Sequence, residues 1–152
     1  MKSDYNELIQ EVKLLASTES KLSEILSAIC HLLKRKVFHY DWVGIYILDS
    51  GNGVLSLGPY SGKPTEHTTI PVGKGVCGQV AESKEIKIVQ DVTKEENYIS
   101  CSIDVQSEIV VPILLNGNFI AEIDIDSHSS APFTMDDEEF LTEICQILAS
   151  KF

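Results

Sequence analysis

The spacing of apolar residues changes near residue 41 and changes back near residue 134, and that switch limits the folds open to this chain. Before it, Tyr5, Leu8, Ile9, Val12 and Leu15 recur every three or four residues, and Leu22, Ile25, Leu26, Ile29 and Leu33 do so again. One face of a helix repeats at that interval, so two helices are expected, with Ser17-Thr18 capping the second. After Thr134, which can cap a terminal helix, Phe140, Leu141, Ile144, Ile147 and Leu148 restore the helical pattern. Asp136, Asp137, Glu138 and Glu139 crowd its first turn, where the helix dipole favours negative charge. That acidic run reads as a capping, solvated face rather than a metal site.

Between these ends the runs DWVGIYIL, GVLSL, EIKIVQ, SEIVVPILL and NFIAEIDID are rich in β-branched and aromatic residues and read as strands. Asn116-Gly117 joins the last two, and Asn-Gly between β-rich runs is a strong hairpin signal. Pro112 inside SEIVVPILL points to an edge position or a bulge, since proline donates no ladder hydrogen bond. Two glycines in IPVGKGVCGQVAES precede a short helix starting near Val76. The expected architecture is α+β: a central antiparallel sheet with helices from both chain ends on one face. The long loops at 58–70 and 91–107, the second with a short helix as an alternative, can cover the other face and line a pocket.

The chain of 152 residues fits one domain, 1–152, with enough length to bury a core. Its net charge of −11 repels phosphate backbones and anionic lipid, so nucleic acid and membranes are poor partners. No apolar run approaches the roughly 18 residues of a membrane span. The N-terminus MKSDYNELIQEVKLL lacks a continuous apolar stretch, so a cytoplasmic location is expected. The four cysteines, Cys30, Cys77, Cys101 and Cys145, form no CxxC or CxxH pair, which gives a zinc site little support.

Cys30 and Cys145 fall beside helical apolar faces and read as packing residues. Cys77, in VGKGVCGQV, and Cys101, in NYISCSID, lie among glycines and polar residues, and each is a candidate reactive thiol. Amides at the start of a helix near Val76 would favour a Cys77 thiolate. EIDID sets Glu122, Asp124 and Asp126 on one strand face, either solvated or forming a pocket floor to which Glu108 lies close. Trp42 and Tyr46, four apart, also share a face, in core packing or in a pocket.

Taken in order, DWVGIYIL, LGPYSGK, IPVGKGVCG, the Cys101 loop followed by SEIVVPI, and EIDIDS resemble the free methionine-(R)-sulfoxide reductases, which are stand-alone proteins of the GAF fold. The resemblance runs from about residue 20 to the end. It implies a loop-covered pocket on the sheet face opposite the terminal helices, with Cys101 as catalytic thiol and Cys77 as a second essential thiol. It also implies that Trp42 and Tyr46 meet the methyl end of the substrate and that Glu108, Asp124 and Asp126 line the pocket. Glu108 is a candidate proton donor. No bound metal or cofactor is implied. The implied electron donor is a thioredoxin-type dithiol, the substrate is free methionine sulfoxide, and the assembly is a homodimer.

Two departures qualify that match. The family commonly has a third cysteine ten residues before the GxGVCG cysteine, and His67 stands there. Ala121-Glu122 replaces a more usual glycine and apolar residue, which suggests a Glu122 side chain turned away from the pocket. The readings weighed against a reductase are a ligand-binding GAF sensor without catalysis and a thiol redox switch.

Overall fold

The computed structural model describes residues 2–96, 98–99 and 102–152, with side chains from Asp4 onward. The two N-terminal amphipathic segments form α1 (Lys2–Ala16) and α2 (Leu22–Lys36). Ser17 and Thr18 do not cap α2. Their hydroxyls donate back to the Leu14 and Leu15 carbonyls and close the end of α1, while Lys21 occupies the N-cap of α2 without a side-chain bond. The C-terminal segment forms α4 (Met135–Ala149), begun by Thr134 in a reciprocal capping box with Asp137.

Six antiparallel strands lie between them in the order β3-β2-β1-β6-β5-β4. They are β1 (Trp42–Asp49), β2 (Val54–Ser61), β3 (Thr69–Pro71), β4 (Lys87–Val89), β5 (Ser107–Leu115) and β6 (Asn118–Ser127). Asn116 and Gly117 both take positive φ, 53° and 80°, as a two-residue turn between twisted strands requires. β2 runs through GPYS, four residues past the expected strand, and β3 is an additional short edge strand. Pro112 faces β6 but lies beyond the last residue of β5 paired with β4, one step before a register shift at Ile113/Leu114. The proline therefore sits where no donor is needed on its outer side and where the ladder bulges.

Strand alternation sorts the core. Val43, Ile45, Ile109, Val111, Ile113, Ala121, Ile123 and Ile125 face α1, α2 and α4 in one apolar cluster. On the opposite face Trp42, Tyr46, Leu55, Val110 and Phe119 pack with Val76, Cys77 and Val80 of α3 (Gly75–Ser83). Among its described residues the long second loop contains a short 3-10 turn, Val92–Lys94, capped by the Asp91 side chain.

The expected solvated face at the start of α4 needs one correction. Asp137 is fully buried. One of its oxygens accepts hydrogen bonds from the Tyr5 hydroxyl at 2.6 Å, the Tyr40 hydroxyl at 2.7 Å and His39 Nε2 at 2.8 Å. The other accepts from the Thr134 amide at 2.8 Å. Burial pushes this carboxyl upward, but the bonds from His39, Tyr5, Thr134 and Tyr40 outweigh burial and hold it at about 2. The residue thus pins α1, the α2–β1 connection and α4 together.

Candidate active site

The register of the central strands assembles the polar side chains. β1 sets Trp42 opposite Asp126, Gly44 opposite Asp124 and Tyr46 opposite Glu122. β5 sets Glu108 opposite Asp126. Directly opposed residues share a face, so Glu108, Glu122, Asp124 and Asp126 all point toward α3, and all four are buried. The alternative of a solvated EIDID face is therefore corrected, and so is the expectation that Glu122 turns away.

Cys77 enters this face from the first turn of α3. Gly75 takes φ 65°, and a Cβ there would lie 2.5 Å from the Ile99 side chain. At Gly78 a Cβ would lie 2.6 Å from the Pro71 carbonyl, so only glycine lets α3 sit this close to β3. The donor atoms of Cys77, Glu108 and Asp124 come within 4.8 Å of one another. A small divalent ion could bridge such a set, although no sequence spacing announces it.

The charge state of the cluster follows from its burial. Burial, then Asp124, Glu122 and Glu108, push the Cys77 thiol well above its ordinary range. The expected thiolate at the start of α3 is thus corrected, because desolvation and neighbouring carboxylates exceed the pull of a few helix amides. Burial and then Asp124 push Glu122 well up as well, and burial pushes Asp124 up against hydrogen bonds from Glu108 and Cys77. Among the described residues neither Glu122 nor Asp124 forms an ion pair; their polar neighbours are the Cys77 thiol and, for Asp124, Glu108. Burial thus favours the protonated form of both groups, which suits proton donation.

The aromatic wall stands on β1. The Trp42 ring stacks on Tyr60 with centroids 5.5 Å apart, and its Nε1 donates to the Lys63 carbonyl at 3.0 Å. The Tyr46 hydroxyl donates to the His67 carbonyl at 2.8 Å. His67, at the position of the missing cysteine, thereby anchors the first covering loop through its backbone. Lys63 in that loop pairs with Asp104 of the second at 3.0 Å.

The indole lies over Gly44, where a Cβ would fall 2.3 Å from the ring. Gly44→Ala is therefore expected to displace Trp42. Because this is the chain's single tryptophan, a red shift in fluorescence emission reports the displacement directly. Activity is expected to fall about tenfold through lost positioning.

Cys101 lies outside the described residues. On its N-terminal side Ile99 lines a narrow cavity with Tyr46, Val76, Cys77, Glu108 and Asp124. On its C-terminal side Ser102 lines an adjoining one with Trp42, Lys63, Asp126 and His128. The expected site residues Trp42, Tyr46, Cys77, Glu108, Asp124 and Asp126 therefore border these two cavities, while Glu122 lies buried on the same face of β6. A larger groove of about 620 Å³ lies between β5 and α4, away from this cluster. Its one thiol, Cys145, is buried against the Val111 carbonyl, while Cys30 packs against Pro59 and is pushed by burial to about 12. Both serve as packing residues.

A curled antiparallel sheet with helices on one face and a loop-covered acidic cavity on the other defines a GAF domain, and the GAF domain family matches residues 21–151. Within that class, a free methionine-R-sulfoxide reductase of Saccharomyces cerevisiae is 40% identical over 84% of this chain and 71% of its own length. One of Escherichia coli is 31% identical over 92% of this chain and 83% of its own length. The X-ray structure of the free methionine-R-sulfoxide reductase from Neisseria meningitidis, in complex with its substrate, superposes with a TM-score of 0.92 at 33% identity. It covers 97% of this chain and 87% of the other. The chain belongs to the free methionine-R-sulfoxide reductase family.

Proposed function

We propose that this protein reduces free L-methionine (R)-sulfoxide to methionine. The observation that carries the reading is the buried cluster of Cys77, Glu108 and Asp124, backed by Asp126 and walled by Trp42 and Tyr46. Relatives named free methionine-R-sulfoxide reductase support the same substrate.

Buried carboxyl groups favour a ligand that brings a cation. A free amino acid supplies an ammonium that offsets their field. A peptide-bound methionine sulfoxide lacks it and would leave the cluster unpaired, at a cost of a few kcal/mol. Trp42 and Tyr46 provide apolar surface for the methyl end.

The chemistry proposed is as follows. The Cys101 thiolate attacks the sulfoxide sulfur. A protonated pocket carboxyl, with Glu108 the candidate, delivers its proton to the sulfoxide oxygen. Oxygen passes to Cys101 as a sulfenic acid, and methionine leaves. With His67 in place of a third cysteine, Cys77 condenses with the sulfenic acid, forming a disulfide and water. A thioredoxin-type dithiol then reduces the disulfide by exchange and becomes oxidised itself. Carboxyls beside a thiol oppose its ionisation, so the incoming ammonium also assists formation of the attacking thiolate.

The test is consumption of each epimer of free methionine sulfoxide, and of a peptide-bound sulfoxide, with a thioredoxin system supplying electrons. Turnover of the free R epimer alone is expected. Equal rates on free and peptide-bound sulfoxide would contradict the ammonium argument, and no turnover of either epimer would sink the proposal.

A further inference from the structure

Three elements far apart in the chain deliver Cys77, Glu108 and Asp124 to one point. Cys77 stands in the first turn of α3, Glu108 near the start of β5 and Asp124 within β6. The sulfur and one oxygen from each carboxyl all lie within 4.8 Å of one another. The same three side chains line one narrow cavity with Tyr46, Val76 and Ile99. Its volume is about 10 Å³, room for one guest the size of a water molecule. Glycine at 75 and 78 lets α3 approach closely enough to hold the sulfur there.

Asp124 indicates what kind of guest fits. It is 1% exposed, and no amide, hydroxyl or cation among the described residues bonds to either of its oxygens. Its polar neighbours are the other two donors themselves. A buried carboxyl is ordinarily tied down by donors of another kind, as Asp137 is by Tyr5, Tyr40, His39 and the Thr134 amide. An apolar side chain at position 124 would avoid the cost of burying this group.

We propose that Cys77, Glu108 and Asp124 are the ligands of one Zn²⁺ ion, bound reversibly in this cavity. The chemistry of the donor set selects zinc. A thiolate with two carboxylates suits Zn²⁺, whereas Mg²⁺ and Ca²⁺ take about six or more oxygens. Zinc stands ~2.3 Å from sulfur and ~2.0–2.2 Å from oxygen, so tetrahedral ligands lie about 3.5 Å apart. The three donors need to close by at most about 1.3 Å, within reach of side-chain rotation at Glu108 and Asp124. The fourth position faces the cavity and takes water, as open zinc sites do. The ion replaces the thiol proton and any proton on the two carboxyls, and these protons pass to solvent. No sequence motif announces the site, because each ligand comes from a different element.

An ion bound here commits both the Cys77 sulfur and the Glu108 carboxyl. It therefore inhibits the reduction proposed above. That consequence rests on the proposed reaction; the site itself does not.

The test is titration of the reduced full-length protein with Zn²⁺ against a chromophoric chelator, and with Co²⁺ as a visible stand-in. One Zn²⁺ per chain is expected, with Kd below about 1 μM. Mg²⁺ and Ca²⁺ should not bind at about 1 mM. Co²⁺ should show thiolate charge-transfer absorption, lost in Cys77→Ser and kept in Cys101→Ser. Glu108→Gln and Asp124→Asn, which preserve shape, should each weaken Zn²⁺ binding at least about tenfold. Absence of Zn²⁺ binding by the wild-type protein would overturn the site without any variant having to fold. So would a charge-transfer band that survives Cys77→Ser, full affinity in both carboxamide variants, or Mg²⁺ bound as tightly as Zn²⁺. The consequence is read in a single turnover with one equivalent of the free R epimer and no reductant. One equivalent of Zn²⁺ should slow methionine release at least about tenfold, and a chelator should restore it. Undiminished release by the zinc-loaded protein would overturn the inhibition. Failure of the metal-free protein to release methionine would instead overturn the underlying reaction, while the titration still decides the site.

Discussion

Replacing Cys101 by serine is expected to stop methionine formation, lowering kcat/KM by at least about four orders of magnitude. A serine hydroxyl ionises far less readily, attacks sulfur poorly, and cannot pass through a sulfenic acid. Cys77→Ser should behave differently. It should release one equivalent of methionine per protein without reductant and then stall, with the oxidised sulfur on Cys101 open to dimedone. Mass spectrometry of the two variants after one equivalent of substrate separates the attacking thiol from the resolving one. Near-normal turnover by Cys101→Ser would remove the mechanism. A stable sulfenic acid with Cys77 still free in the wild-type protein would place resolution on an external thiol.

The largest loss of stability is expected from Asp137→Ala. The substitution strands the Tyr5 and Tyr40 hydroxyls, His39 Nε2 and the Thr134 amide in the interior and removes half of a capping box. Deleting one partner of a buried polar network costs about 3–5 kcal/mol, most of it from the donors left behind. Urea unfolding at pH 7 measures it, and a loss below about 1 kcal/mol would show that water replaces the carboxylate. The wild-type protein carries a pH signature of the same contact. Asp137 titrates at about 2 in the fold, below its ordinary value of 3.8. Its contribution is therefore fully present above about pH 4 and is lost as pH falls through 2. Glu122 and Asp124 act in the opposite sense. Their folded-state values are raised, so their contribution is present at low pH and is lost as pH rises through those values. Stability is expected to fall on the alkaline side, and Glu122→Val should flatten that limb.

These two buried acids also show where sequence reasoning stops. Helix and strand periods located the terminal helices and the central strands, because each element has one face buried and the period records it. Asn116-Gly117 marked its turn because both positions need positive φ. β3 escaped notice because three residues are too few to show alternation, and its pairing with Val54, Leu55 and Ser56 is set by β2. Alternation put Glu122, Asp124 and Asp126 on one face but could not tell whether that face was wet. The answer depends on α3, whose approach requires glycine at 75 and 78. Asp137 looked solvated for a related reason: its donors Tyr5, His39 and Tyr40 are about a hundred residues or more away in the chain. The pocket roles of Trp42, Tyr46 and Cys101 came from the resemblance, not from the pattern. Residue types alone left packing and chemistry equally open.

β6 carries two unrelated duties on alternate residues: Ala121, Ile123 and Ile125 fill the helix-side core, while Glu122, Asp124 and Asp126 furnish the acidic face. Inserting or deleting one residue within it would exchange the two sets at a stroke, driving carboxyls among the isoleucines and methyl groups into the cavity. This strand can therefore vary in descent only by substitution, never in length. Its two faces drift separately, one answering to packing and the other to chemistry, so a lineage could retune its substrate preference here without loosening its core.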